Sequence, residues 1–296
     1  MLGTASAMPV VNRSQSAQAL QVHGRLFLVD AGEGVQTQMM RYHVSMAKLE
    51  AIFISHVHGD HVFGLNGLFS TFGMLGRTAP LHVYGPGNLR PIIKFFLSYN
   101  EWLPFEIAFH PVNTRFLEVI LETKSLTVTA IPLLHGIETY GYIFREKEPM
   151  WNVRKECIGQ YGLTLTEIGT LKRGEDVVRA DGTVIPHGEA AYKPYSPRSY
   201  AYVSDTAVFP GEAEALRGVS VLYHEATYLL EHAEKAAARF HATTRQAAQV
   251  ALDAGVEKLI IGHYSSRNTD QRLYEAECRE VFPESYAAAD GDVFEI

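Results

Sequence analysis

Cysteine is scarce: Cys157 and Cys278 are the only two in 296 residues. They could form at most one bridge, and neither belongs to a CxxC pair, so neither a disulfide framework nor a thiolate zinc site is expected. Long apolar runs are missing too. No stretch approaches the roughly 18 consecutive apolar residues of a membrane span, and the opening MLGTASAMPVV lacks the charged, apolar and cleavage regions of a secretory signal. A cytoplasmic address, with no membrane partner, is the default. Nor is there an excess of positive charge, since 26 Lys and Arg stand against 33 Asp and Glu for a net charge of −7. That balance argues against a protein that coats nucleic acid non-specifically, and binding any polyanion needs local positive charge or metal ions. No internal repeat or low-complexity tract is present.

What remains is an ordinary globular composition, 47% hydrophobic and 20% charged, long enough for one large domain or two small ones. Short β-rich runs lie at 26–30, 51–55, 81–84, 126–133, 200–205, 219–226 and 258–263, and several end on a polar or metal-capable residue. A buried strand that delivers a His or Asp at its C-terminal end is how α/β proteins place chemistry over a rigid sheet. Residues 233–254 read as two helical pieces, the second capped by Thr243 or Thr244 and stopping before Gly255.

Segment 145–198 differs in kind. It carries nine Lys and Arg against eight Asp and Glu, while the rest of the chain is strongly acidic. Gly, Pro and Thr are scattered through it, which suggests hairpins or an arm projecting from the core. A surface insertion without function fits this composition equally well.

The strongest signal is SHVHGDH at 55–61, directly after the strand AIFIS. Given 13 His and nine Asp, a chance HxHxDH arises in roughly one such chain in a thousand. On a tight loop His56 and His58 can point to one side while Asp60 and His61 turn to the other, so one loop can serve two metals. Neutral imidazoles and carboxylates suit Zn²⁺ and similar ions, and the lack of nearby cysteines favours a hydrolytic over a purely structural site. Such a loop cannot close two coordination shells alone. His135, Asp205 and His263, each just beyond an apolar run, are the candidate distant ligands.

At this point the sequence resembles the metallo-β-lactamase superfamily and, within it, the ribonuclease Z family of tRNA 3′-processing endonucleases. The resemblance runs through LGTASAMP (2–9), LVDAGEGVQTQ (28–38), SHVHGDHVFGL (55–65), GRTAPLHVYGP (76–86), HGIETYGY (135–142), SDT (204–206), YHEAT (223–227), FHATTRQAA (240–248) and GHYSSR (262–267). It implies an α/β metallo-β-lactamase fold over 1–296, a four-layer αββα sandwich. It also implies two Zn²⁺ per subunit, with Mn²⁺ or Fe²⁺ as other possible occupants. His56, His58 and His135 would bind one ion, Asp60, His61 and His263 the other, and Asp205 would bridge them. Paired cations of this kind hydrolyse phosphodiesters by in-line attack and stabilise charge on the phosphoryl oxygens. Asp60 would accept the nucleophile's proton, and His241, held by Glu225, would touch the scissile phosphate or leaving oxygen. His224, Thr227 and Arg267 are further supporting or phosphate-contact candidates, Asp30 and Glu33 are expected as carboxylates buried behind the metal loop, and His23, His43, His82, His110, His187 and His232 are taken as structural or surface residues.

The implied substrate is precursor tRNA, cut just after the discriminator base to leave a 3′-hydroxyl on the tRNA and a 5′-phosphate on the trailer. No DNA partner is expected. Segment 145–198 occupies the place of the family's tRNA-gripping arm and keeps LKRGEDV (171–177), with Lys172 and Arg173 as phosphate contacts. It departs from the family in lacking a Gly-Pro pair, replaced by GLTLTEI at 162–168, and Asn268 stands where an aromatic residue often follows HYSSR. A homodimer is implied, the arm of one subunit serving the other's site. Two other readings compete: a dinuclear hydrolase of small or cyclic nucleotide diesters, and a non-catalytic RNA-binding protein that retains metal.

Overall fold

The structure, a computed structural model, describes residues 1–99 and 102–296. Two compact units emerge: one comprises Met1–Glu122, Thr127–Phe144 and Ser199–Ile296, the other Thr123–Leu126 and Arg145–Arg198.

The larger unit is built on two sheets. In the first, β1 (Gln18–Val22), β2 (Arg25–Val29), β3 (Leu49–Phe53), β4 (Leu81–Pro86) and β5 (Ile107–Val112) lie side by side in chain order. The β1–β2 hairpin is antiparallel and turns through His23 and Gly24, both with positive φ, whereas β2 to β5 run parallel. The second sheet orders Ser285–Ala287, Lys258–Gly262, Val221–Glu225, Ser199–Val203, β8 (Tyr140–Glu146), β7 (Leu126–Pro132) and β6 (Glu118–Glu122).

Aromatic side chains join the two inner faces. Phe27 and Phe53 meet Phe144 with ring centroids 5.8 and 5.1 Å apart, and Phe53 meets Tyr142 at 5.3 Å. Burying each such ring contributes about 1.5–3 kcal/mol. Tyr142 also donates its hydroxyl to the Ile54 carbonyl at 2.6 Å, fixing the sheets in depth just where the metal loop leaves β3. Outside the first sheet, Val35, Met39, Leu65, Leu68, Phe69, Phe72, Ile93 and Phe96 from three helices pack on Leu28, Ile52, Leu81 and Val83. Outside the second, helices Thr244–Ala254 and Gln271–Arg279 pack on Ala201, Leu222, Leu259 and Ile261. The result is the αββα layering that the family resemblance implies.

Every β-rich run read from the sequence is a strand. Residues 233–254 form two helices, Ala233–Ala238 and Thr244–Ala254, and Thr243 caps the second through a capping box with Gln246 before Gly255 ends it at φ 65°.

The smaller unit has its own core of Cys157, Leu163, Leu171, Val177, Ile185 and Ala190. Hairpins are the minor component there. Helices Lys155–Tyr161, Leu165–Lys172 and His187–Ala190 dominate, with paired strands of two residues each. The Thr and Gly that suggested turns start and stop helices instead: Thr164 closes a capping box with Glu167, and Gly162 ends the preceding helix at φ 55°.

Candidate metal centre

Five strands lead at their C-terminal ends to polar residues of one cluster. Beyond β3 the chain runs through Ser55 and His56 to His58, then turns into the short helix Gly59–Val62, whose first turn holds Asp60 and His61. His135 follows β7, Asp205 follows Ser199–Val203, and His263 follows Lys258–Gly262 with φ 61°. Glu225 is the last residue of Val221–Glu225, and His241 lies between the two helices of 233–254.

These side chains converge. Potential donor atoms of His56, His58, His135 and Asp205 lie within 4.8 Å of one another, as do those of Asp60, His61 and His263, and those of Asp205, His241 and His263. Asp205 faces both ways. Its Oδ2 is 3.7 Å from His56 Nε2 and 3.9 Å from His135 Nε2, while Oδ1 is 3.5 Å from His61 Nε2 and 3.2 Å from His263 Nε2. Asp60 Oδ2 stands 3.3 Å from both His61 Nε2 and His263 Nε2. Three nitrogen pairs are similarly close: His56 Nε2 to His58 Nδ1 at 2.9 Å, His61 Nε2 to His263 Nε2 at 3.3 Å and His135 Nε2 to His58 Nδ1 at 3.4 Å.

Such crowding makes poor sense as a hydrogen-bonded network. Asp205 Oδ1 is buried yet has no hydrogen-bond partner, despite its closeness to His263. An orphaned buried carboxylate oxygen costs free energy unless a cation completes it. The hard oxygen and imidazole donor set fits a divalent metal, and this fold with this His/Asp cluster is a divalent-metal site.

A second layer aims the donors. Asp30, wholly buried and held at φ 56°, accepts hydrogen bonds from the Ser55 N–H (2.7 Å), the Ser55 hydroxyl (2.8 Å) and the Tyr202 hydroxyl (2.6 Å), and lies 2.7 Å from His61 Nδ1. Because Asp30 accepts the Nδ1–H hydrogen bond of His61, Nε2 of that ring faces Asp60 and Asp205. His135 Nδ1 likewise donates to the Phe240 carbonyl at 3.0 Å. Glu225, fully buried, accepts the N–H groups of Thr206, Thr227 and Ala242 and the Thr227 hydroxyl, and pairs with His241 Nδ1 at 2.8 Å. Thr227 Oγ1 lies 2.8 Å from His263 Nδ1, so one threonine ties Glu225 to the metal cluster.

Protonation follows environment. Burial, reinforced by His61 and His58, pushes His56 well below its usual pKa, and burial with His135 lowers His58. Burial also opposes charge on His61, but Asp60, Asp205 and Asp30 override it and push the imidazole well up. For Asp60, burial is outweighed by His61 and His263, which hold the carboxyl well below the ordinary range. Burial works against the His241 charge too, yet Glu225 raises that imidazole to about 9, and Glu225 itself is drawn down to about 2 against its burial, chiefly by His241.

One expectation fails. Glu33 is exposed and not behind the metal loop, because it lies in the turn that leads through Gly34, at φ 75°, into helix Val35–Arg41. Lys172, Arg173 and Arg267 are exposed, and Arg173 is engaged with Glu175 and Thr170. His224 is buried, with Nδ1 2.6 Å from the Glu225 carbonyl and Nε2 3.0 Å from Glu212. The six histidines expected to be structural or surface lie outside the metal-capable groups found among the described residues. Sequence reasoning missed Ser55, Tyr202, Thr206 and the Phe240 carbonyl. Ser55 carries a weak signal in its place beside His56, whereas a tyrosine on a buried strand and a backbone oxygen carry none.

Comparison with known proteins bears on what this centre serves. Residues 1–91, less than half of the chain, match the family described as "Anti-Pycsar protein Apyc1". "Ribonuclease Z" of Bacteroides fragilis strain YCH46 is 39% identical over 292 residues, 97% of this chain and 95% of the relative, and that of Cytophaga hutchinsonii is 41% identical over 296 residues, 99% and 94% of the two. The crystal structure of human tRNase Z, short form, superposes with a TM-score of 0.72 at 25% identity, covering 100% of this chain and 97% of that one. A metallo-β-lactamase fold protein, YhfI of Bacillus subtilis, has a TM-score of 0.70 at 18% identity, covering 99% and 96%, and speaks to the fold alone. With this fold, this centre and relatives of such identity over nearly its whole length, the chain belongs to the ribonuclease Z family.

Proposed function

We propose that this protein is a metal-dependent endoribonuclease that removes the 3′ trailer from precursor tRNA by phosphodiester hydrolysis, leaving a 3′-hydroxyl on the tRNA and a 5′-phosphate on the trailer. The observation that carries the reading is the Glu225–His241 pair set beside a carboxylate, Asp205, whose two oxygens face different histidine groups. Family membership weighs against the small-diester and non-catalytic alternatives.

Two Zn²⁺ ions are the proposed occupants, one among His56, His58 and His135, one among Asp60, His61 and His263, with Asp205 shared. Divalent cations so held supply a nucleophile at neutral pH and offset charge on the phosphoryl oxygens. The chain's own groups do the rest. Asp60 accepts the proton of the attacking water. His241, kept protonated by Glu225, presents Nε2 to the cluster, 4.0 Å from Asp205 Oδ2, and gives its proton to the departing ribose oxygen. Glu225 is fixed by three backbone N–H groups, so it holds the imidazole without moving.

Segment 145–198 is the proposed tRNA-gripping arm, with Lys172 and Arg173 on phosphates and Arg267 near the acceptor end. A homodimer in the cytoplasm, each arm serving the partner subunit's site, completes the proposal. No helix among the described residues is long and apolar enough to cross a membrane.

Metal analysis of the purified protein combined with an end-mapped digest of a precursor tRNA tests this. Two equivalents of zinc and a single cut after the discriminator base are expected. A metal-loaded protein that leaves the precursor intact overturns the proposal.

A further inference from the structure

Helix Ala233–Ala238 ends in a Schellman motif: the Phe240 N–H bonds the Ala237 carbonyl at 3.3 Å and the His241 N–H bonds the Ala236 carbonyl at 2.9 Å. The residue in the left-handed position of that motif is Phe240, at φ 55°. Glycine is the usual occupant there, because a side chain clashes with its own backbone in this region, and a bulky residue is an outlier. The strained residue is not repaid by burial, since Phe240 is 43% exposed. It precedes His241 directly, and its carbonyl holds His135.

A second exposed ring sits on the other part of the cluster. Phe63 is 66% exposed, and a Cβ added to Gly59 would come 2.3 Å from its Cε2, so the ring lies over the glycine between His58 and Asp60. Short contacts connect the two positions: the Phe240 carbonyl to His135 Nδ1 at 3.0 Å, His135 Nε2 to His58 Nδ1 at 3.4 Å, then Gly59 beneath Phe63. Two solvent-exposed aromatic rings thus flank a centre that is otherwise imidazole and carboxylate, one next to the proton donor and one on the loop of Asp60.

We propose that Phe240 and Phe63 are stacking platforms for the two nucleobases joined by the scissile phosphate. Phe240, beside His241, takes the base of the nucleotide that keeps the 3′-hydroxyl, and Phe63 takes the first base of the trailer. Stacking on an aromatic face suits this step because it tolerates any base, as an enzyme acting on many tRNAs requires. The inference rests on the endoribonuclease reading, which assigns His241 to the leaving oxygen.

The test uses an RNA identical to the processed tRNA end, with 2-aminopurine as its 3′-terminal base, so no cleavage is needed for the readout. Wild-type protein quenches the fluorophore; Phe240→Gly and Phe240→Leu lose the quench, and Phe240→Trp retains it. On precursor tRNA, KM rises about tenfold in Phe240→Gly and in Phe63→Ala. Phe240→Gly also melts no lower than wild type, because glycine relieves the left-handed strain. Unchanged quenching and KM in Phe240→Gly, or a lowered melting temperature with equal loss in Phe240→Trp, overturns the proposal and makes Phe240 structural. Wild-type protein that fails to cut precursor tRNA refutes the parent reading instead, while the quench still decides Phe240.

Discussion

Nδ1 of His241 lies 2.8 Å from Oε1 of Glu225, and the same oxygen accepts the backbone N–H groups of Ala242 at 3.0 Å and Thr206 at 3.2 Å. A carboxylate with this many fixed donors stays ionised and immobile despite complete burial. The imidazole is thereby oriented with Nε2 toward the metal cluster, and its proton is retained well above neutrality.

His241→Ala is expected to slow single-turnover cleavage of precursor tRNA by roughly 10²–10⁴-fold, the usual contribution of a positioned acid. Metal content, read by elemental analysis, stays at the wild-type level. Loss of both together would make His241 a ligand instead of a proton donor.

In the metal-free protein the Glu225–His241 pair sets a pH window for stability. The His241 pKa is raised from 6.5 to about 9, so its contribution is complete below 6.5 and disappears as pH climbs to about 9. The Glu225 pKa is lowered from 4.5 to about 2, so its contribution is complete above 4.5 and disappears as pH falls to about 2. Melting temperatures of metal-free wild type and His241→Gln should therefore differ most between about pH 4.5 and 6.5 and converge toward either extreme. A constant difference across the range contradicts the assignment.

Asp30→Asn removes the acceptor that orders His61, and metal affinity should drop by about 10–100-fold. Competition with a chromogenic chelator measures it. The variant also leaves Ser55 and Tyr202 with a weaker partner, so its folding is checked by circular dichroism.

Excising 145–198 should abolish precursor tRNA processing while cleavage of a small chromogenic diester persists, because the larger unit has its own two cores. If precursor processing survives the excision, the segment is not the tRNA-gripping arm.

Much of this cluster was legible because candidate metal ligands follow spacing, and the structure brings those residues together. His56, His58, Asp60 and His61 sit within six residues, and His135, Asp205 and His263 each follow an apolar strand, so periodicity and residue type suffice to find them. Resemblance, not spacing, singled out Glu225 and His241. Asp30 could be suspected from VDAGEG, but its neighbour Glu33 could not be told apart from it: Asp30 stands at the buried end of β2, whereas Glu33 lies in the exposed turn before helix Val35–Arg41. The helices of 145–198 were hidden by Thr and Gly, which serve caps and turns alike. β1, β5 and β6 escaped notice because short, partly buried strands carry little periodic signal, and β8, buried along nearly its whole length, shows no alternation to read.

The donors come from opposite halves of the sandwich: His56, His58, Asp60 and His61 hang from the first sheet, His135, Asp205 and His263 from the second. A divalent cation bound there would act as a rivet between halves that aromatic contacts and hydrogen bonds such as Tyr142 to Ile54 and Tyr202 to Asp30 otherwise clasp, so loading and rigidity would rise together. A cell starved of metal would then lose more than turnover. Its unloaded molecules would breathe along the seam and offer proteases a substrate, making the amount of enzyme, as well as its rate, a gauge of metal supply.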